Sequence, residues 1–325
     1  MSIRRNASVV GPLFVTGYCI INSTKSVLEG ALVQDLSPEF IALNSFVLAQ
    51  LFYFLTLRDK KALFRDVRRC LPDVIMLNIM TAICWIAVLY AFTVFEPAMA
   101  NAIIIGLGPT VTILLGFKLR PGVRAYRLEI AAAAGMLAVM AYLLVEALDG
   151  SSAIGSVSTG SIIFGVCMCV ATSVSLAGIT YYTKRLSDQG MVVRQMMASR
   201  FPVLIVSTFA LMLFRSSFGT YTLADTGAIL AISIVGVIIS LYLLQQGIVR
   251  TEPITVSMLY GMNLVITYLT QFLDPRLHQS LSTFVGIALI TMAMVLGTLT
   301  RWRADRKKEA AAAPVAQPET EGIEA

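Results

Sequence analysis

The chain has 325 residues, 57% apolar and only 14% charged, with a mean hydropathy of +0.78. A soluble domain carries roughly 25% charged residues, and so few charges cannot build a water-facing surface for a chain of this length, so the apolar excess faces lipid. The net charge of +6 needs no nucleic-acid partner, because topology accounts for it.

A helix that crosses about 30 Å of hydrocarbon needs about 20 mostly apolar residues. On that criterion the chain divides into ten spans, at residues 8–29, 39–57, 72–94, 97–117, 127–146, 160–182, 193–214, 226–248, 253–272 and 281–300. The short alternating segments of a strand barrel are absent. The first span follows Arg4 and Arg5 and has no small-residue cleavage site before Asn22, so it reads as an uncleaved helix rather than a signal peptide. Its end, NSTKSVLEG, carries Lys25 and Glu29 one turn apart. Lys before Glu is the weaker order for a helical pair. Either Lys25 snorkels to the interface, or it projects into a central cavity to bind an anionic group, with Glu29 as competing partner or proton acceptor.

Polar side chains inside a span are costly unless they pair or line a cavity, so they mark candidate sites. The second span offers Gln50 and the third a face of Asn78, Thr81 and Trp85. Ser233, Gly236 and Ser240 in the eighth read as small-residue helix packing. In the ninth, Tyr260, Asn263, Thr267 and Gln271 recur at steps of three and four on one face. The candidate solute-binding set is Lys25, Gln50, Asn78, Trp85, Tyr260, Asn263 and Thr267, with Glu29 the candidate for proton coupling. The five cysteines suggest neither a disulfide framework nor a metal site, since Cys167 and Cys169 point about 200° apart on a helix. No cofactor or metal is expected.

Orientation follows from basic residues, which stay in the cytoplasm. With both termini inside, all of the 25 Lys and Arg except Lys25, Arg215 and Arg276 fall on the cytoplasmic side, Arg200 among them. FEPAMANAIIIGLGPTVTILLGFKLRP then aligns with TEPITVSMLYGMNLVITYLTQFLDPR, Glu96-Pro97 over Glu252-Pro253, as helix starters. Residues 8–148 and 158–300 thus form two five-span repeats. Five is odd, so the second enters the membrane inverted, the architecture of an alternating-access carrier. Residues 301–325, rich in Ala, Pro and Glu, read as a disordered cytoplasmic tail.

These features, with the Pro109-centred span IIIGLGPTVTILLG and the ending LDPRLHQSLSTFVGIALITMAMVL, resemble the drug/metabolite transporter (DMT) superfamily, EamA-like type, over residues 8–300. The resemblance implies secondary export of a small metabolite across a bacterial inner membrane. No GxxxxGK[ST] loop is present, so direct ATP drive is not expected. The leading expectation is efflux of a small polar metabolite such as an amino acid; efflux of an amphipathic drug or toxin is the alternative. A membrane-embedded enzyme would need clustered catalytic side chains, and the single histidine, His278, falls in the outer loop DPRLHQS. The expected partners are a small-molecule solute and the lipid bilayer, with a homodimer left open.

Overall fold

The computed structural model describes residues 2–119, 126–148, 158–217, 222–272 and 281–312. His278 and the tail beyond Ala312 lie outside the described residues. The described chain forms α1 (Ser2–Leu32), α2 (Pro38–Thr56), α3 (Lys60–Arg69), α4 (Leu71–Phe92), α5 (Pro97–Leu119), α6 (Arg127–Leu148) and α7 (Thr159–Asp188). It continues with α8 (Val193–Ser199), α9 (Pro202–Arg215), α10 (Leu223–Ala231), a π-helical segment (Ile232–Ile239), α11 (Ser240–Arg250), α12 (Pro253–Leu259), α13 (Met262–Gln271) and α14 (Leu281–Ala312). Among the described residues, seven segments are long and apolar enough to cross a bilayer. The protein is an all-α polytopic membrane protein.

Local chemistry explains where helices start and stop. Ser37 accepts from the Phe40 N–H and Pro38 opens the first turn of α2, where a missing N–H is harmless. Pro97 and Pro253 open α5 and α12 in the same way. The basic stretch between the second and third spans forms the helix α3. Asp59 caps it by accepting from the Ala62 N–H at 2.8 Å, and Arg68 and Arg69 sit in its last turn against the helix dipole. Leu63 and Asp66 face inward while its lysines are exposed, the pattern of a helix lying along the membrane surface. At the other extreme of the chain, α14 runs on to Ala312 as helix, into the segment expected to be disordered.

The packing of the bundle has a definite order. α4 lies along α7, and α1 lies along α11; α5 packs on α7, and α13 on α1. α6 pairs with α14, α2 with α9, and α5 with α12 and α13. The α1–α11 approach is close because Gly247 faces α1: a Cβ there would stand 2.5 Å from Val15 Cγ2 and 3.1 Å from the Val15 nitrogen. Two ends can be distinguished. At the α3 end, Asp73 pairs with Arg185 at 3.1 Å and accepts from Gln189 at 2.6 Å. At the opposite end, Glu39 accepts from the hydroxyls of Tyr90 and Ser217, and Tyr90 also meets Arg215.

Candidate functional site

A cavity of about 50 Å³ lies at the centre of the bundle, bounded by α1, α4, α5, α7, α11 and the two helix breaks at Arg200 and Tyr260. By the measure of about 15 Å³ per site this holds roughly three water molecules, so the pocket is small. α1 contributes a continuous polar stripe, Tyr18, Asn22, Lys25, Ser26 and Glu29, at steps of three and four.

Lys25 is the pivot of that stripe. Its ammonium is 3.1 Å from Glu29 Oε2 and 3.9 Å from the Trp85 ring centroid, with both members of the ion pair about 3–4% exposed. It therefore points inward rather than to the interface. The pair forms in the weaker i, i+4 order because, once buried, each charge has no better partner. Its stem lies over Gly236, where a Cβ would stand 2.5 Å from Lys25 Cδ. Gly236 sits within the π-helical segment, so a widened turn and a missing side chain together make the channel for the lysine.

The second cation is Arg200. It is 1% exposed and lines the cavity, so it does not belong to the cytoplasmic face to which the sequence reading assigned it. Its Nε donates to Thr81 Oγ1 and its Nη1 to Gln245 Oε1, both at 3.0 Å. Among the described residues no carboxylate pairs with it, and its Nη2 makes no hydrogen bond.

The local backbone explains how an arginine comes to sit there. Pro202 has no N–H to give the Ala198 carbonyl and its ring crowds that carbonyl, so the helix breaks between α8 and α9. Two amides repair the break. Gln50 Nε2 donates to Ala198 O at 2.7 Å, taking the place of the bond proline cannot make. Asn78 donates to Ser199 O at 2.7 Å and accepts from the Val203 N–H at 3.5 Å, so its amide bridges the missing 203-to-199 bond from both sides. The freed turn presents Arg200 to the cavity.

The structure brings five of the sequence-derived candidates together around the cavity: Lys25, Glu29, Trp85, Tyr260 and Asn263. Gln50 and Asn78 stand behind it, holding the helix break. Thr267 also stands behind it, accepting from Asn101, a lining residue, at 3.4 Å. Tyr260, Asn263, Thr267 and Gln271 are all buried, although the helix they share breaks at Tyr260–Gly261. Ser23 lies within hydrogen-bond distance of both the Cys19 carbonyl and Asn263 Oδ1. Two donors in the cavity wall lack an acceptor, Trp85 Nε1 and the Tyr260 hydroxyl; the latter has Thr180 near it but makes no hydrogen bond of ordinary geometry.

Among the lining residues that escaped the sequence reading are Arg200, Tyr18 and Asn22. The signal for Arg200 was a charge followed closely by a proline inside an apolar run, ASRFP; the signal for the others was the helical spacing of Tyr18, Asn22, Lys25 and Glu29. Among the described residues, no three His, Cys, Asp or Glu side chains gather to hold a metal ion.

No family model matches the chain, and no curated protein does. A solved structure described only as "Crystal structure of protein" superposes with a TM-score of 0.63 at 17% identity, over 89% of this chain and 98% of that one. At that identity the likeness establishes a shared fold and nothing more.

Proposed function

We propose that this protein is a secondary transporter of the EamA-like, drug/metabolite type, built from ten spans as two inverted five-span repeats, residues 8–148 and 158–300. The first repeat comprises α1, α2, α4, α5 and α6; the second comprises α7, α8–α9, α10–α11, α12–α13 and α14. The observation that carries the reading is the pairing of packed helices. Exchange of the two repeats turns the α4–α7 contact into that of α11 with α1, and the α5–α7 contact into that of α13 with α1. The contacts of α6 with α14, α2 with α9, and α5 with α12–α13 map onto themselves. A polar cavity on the axis of such an exchange is where an alternating-access carrier binds its solute.

The α3 end is then the cytoplasmic end, with both termini on that side, and the membrane is a bacterial inner membrane. The ion-paired cluster at Asp73 and the cluster at Glu39 would close the two ends in turn. The cavity's size and its amide and charged lining favour export of a small polar metabolite over an amphipathic drug, which would need a larger apolar volume. Glu29, whose only ion-pair partner among the described residues is Lys25, is the residue proposed to exchange protons.

The test is counterflow in proteoliposomes, with solutes chosen by comparing extracellular metabolites of cells with and without the protein. A carrier shows uptake that depends on solute trapped on the opposite side. Flux indifferent to trapped solute would make the protein a channel, and reporter fusions placing the termini on opposite sides would end the inverted-repeat reading.

A further inference from the structure

We infer that the central cavity is a receptor for a small monocarboxylate, held by the guanidinium of Arg200. The inference deepens the transporter reading, on which it rests for the role of the bound solute but not for the site itself.

The cavity is lined by two cations, Lys25 and Arg200, and by one carboxylate, Glu29. Lys25 and Glu29 are in contact and cancel, whichever of them holds the proton between them. Arg200 is left with neutral neighbours, a threonine and a glutamine, and an arginine stays charged in a protein. A lone buried cation in this setting is unfavourable by itself, and a bound anion would relieve it. Trp85 Nε1 and the Tyr260 hydroxyl lack an acceptor and Arg200 Nη2 makes no hydrogen bond, while Asn22, Asn101 and Glu29, which carry acceptor oxygens, also line the cavity.

An excess of one positive charge among the described lining groups selects a ligand that is anionic. A carboxylate fits the planar fork of a guanidinium with two parallel bonds. A monoanion balances the one unpaired cation among the described lining residues, which a doubly charged phosphate would overcompensate. The cavity of about 50 Å³ restricts the solute to a few heavy atoms unless the walls move. Lys25, Glu29 and the Trp85 ring then face the rest of the molecule, so a hydroxyl or amino substituent would meet the ion pair.

The experiment uses the purified full-length protein in detergent at matched ionic strength. Thermal unfolding is followed with acetate, lactate and benzoate, with the neutral acetamide, lactamide and benzamide, and with chloride and inorganic phosphate. At least one carboxylate should raise the melting temperature by several degrees while neither its amide nor the inorganic anions do so. Arg200→Gln should abolish that shift and Arg200→Lys should keep part of it. Equal shifts from amides, equal shifts from chloride or phosphate, no shift from any carboxylate, or a full shift in Arg200→Gln would each overturn the assignment. If Arg200→Gln is not monodisperse, Trp85→Phe decides: it keeps a ring beneath Lys25 and removes one N–H, so affinity should weaken several-fold, and unchanged affinity overturns the site. Binding without counterflow would end the carrier reading and leave the anion site standing. Counterflow of a neutral solute untouched by Arg200→Gln would do the reverse.

Discussion

Two groups of acidic and basic side chains in this protein behave differently. At the α3 end, Asp73 has Arg185 at 3.1 Å and Gln189 at 2.6 Å, and Asp66 has Gln195 at 2.9 Å with Arg65 and Arg69 beside it. Those acids are saturated with partners, and the arginines reach water: the Arg185 side chain is 39% exposed. In the core, the Lys25–Glu29 pair is about 3–4% exposed and Arg200 has no acid beside it among the described residues. Water shares the load of the outer cluster, whereas the inner one has only itself and whatever enters the cavity. The comparison teaches that exposure of the partners, rather than the number of charges, separates a fastening from a binding site.

Removing one inner charge is the severest way to break that comparison. Lys25→Met leaves Glu29 buried without a counter-charge, and a broken buried pair costs about 3–5 kcal/mol. Lys25→Met combined with Glu29→Leu removes both charges and should recover most of that loss, since apolar replacement of a whole buried pair is often neutral. Counterflow should stay absent in both variants. A double variant that is stable and still transports would show that the pair is a fastening like the outer one.

The helix break gives the next largest effect. Asn78→Leu leaves the Ser199 carbonyl and the Val203 N–H without their bridge, and Gln50→Leu leaves the Ala198 carbonyl alone. An unsatisfied buried group costs about 1–3 kcal/mol, so both variants should melt early in denaturant titrations, Asn78→Leu the earlier. Both should also weaken solute binding, because the turn they brace is the one that aims Arg200. Normal affinity in a destabilised Asn78→Leu would separate the break from the site. A milder perturbation is Gly236→Ala. Its methyl would stand 2.5 Å from Lys25 Cδ, so the lysine must shift, and affinity should fall about tenfold, equivalent to roughly 1.4 kcal/mol.

What the sequence made legible follows the range of the interactions involved. The apolar excess and the run of spans are local properties, and among the described residues seven helices are long and apolar enough to cross a membrane. The polar stripe from Tyr260 to Gln271 is also local, and all four of its residues are buried. Lys25 was visible as a misplaced charge, but its direction depends on Gly236, which is distant in sequence and reads by itself as a packing glycine. Gln50 and Asn78 were visible as polar residues in apolar runs. Their task was not, because it is set by Pro202 in another helix. Arg200 was hidden by its own plausibility: a basic residue near a span end fits the rule for cytoplasmic loops, and only the folded chain shows that proline turns it inward.

The outer cluster supplies the smallest effects and so completes the contrast. Arg185→Gln should change stability by at most ~1 kcal/mol, the range for ion pairs with one partner in water. For Asp66, the hydrogen bond from Gln195, followed by the neighbouring Arg65, holds the carboxyl below the usual aspartate range. An acid whose folded pKa is depressed contributes stability that is fully present above its unfolded pKa, near 4, and that fades as pH falls through the lower folded value. Asp66→Asn should therefore flatten the acid limb of a stability-against-pH curve below about pH 4 and leave its shape at neutral pH unchanged. Transport at neutral pH should also survive in Asp66→Asn as a closing contact weakens without loss of any cavity group. A collapse of transport with solute affinity intact would make the Asp66 contact part of the moving gate, and would place the functional boundary at the rim as well as in the core.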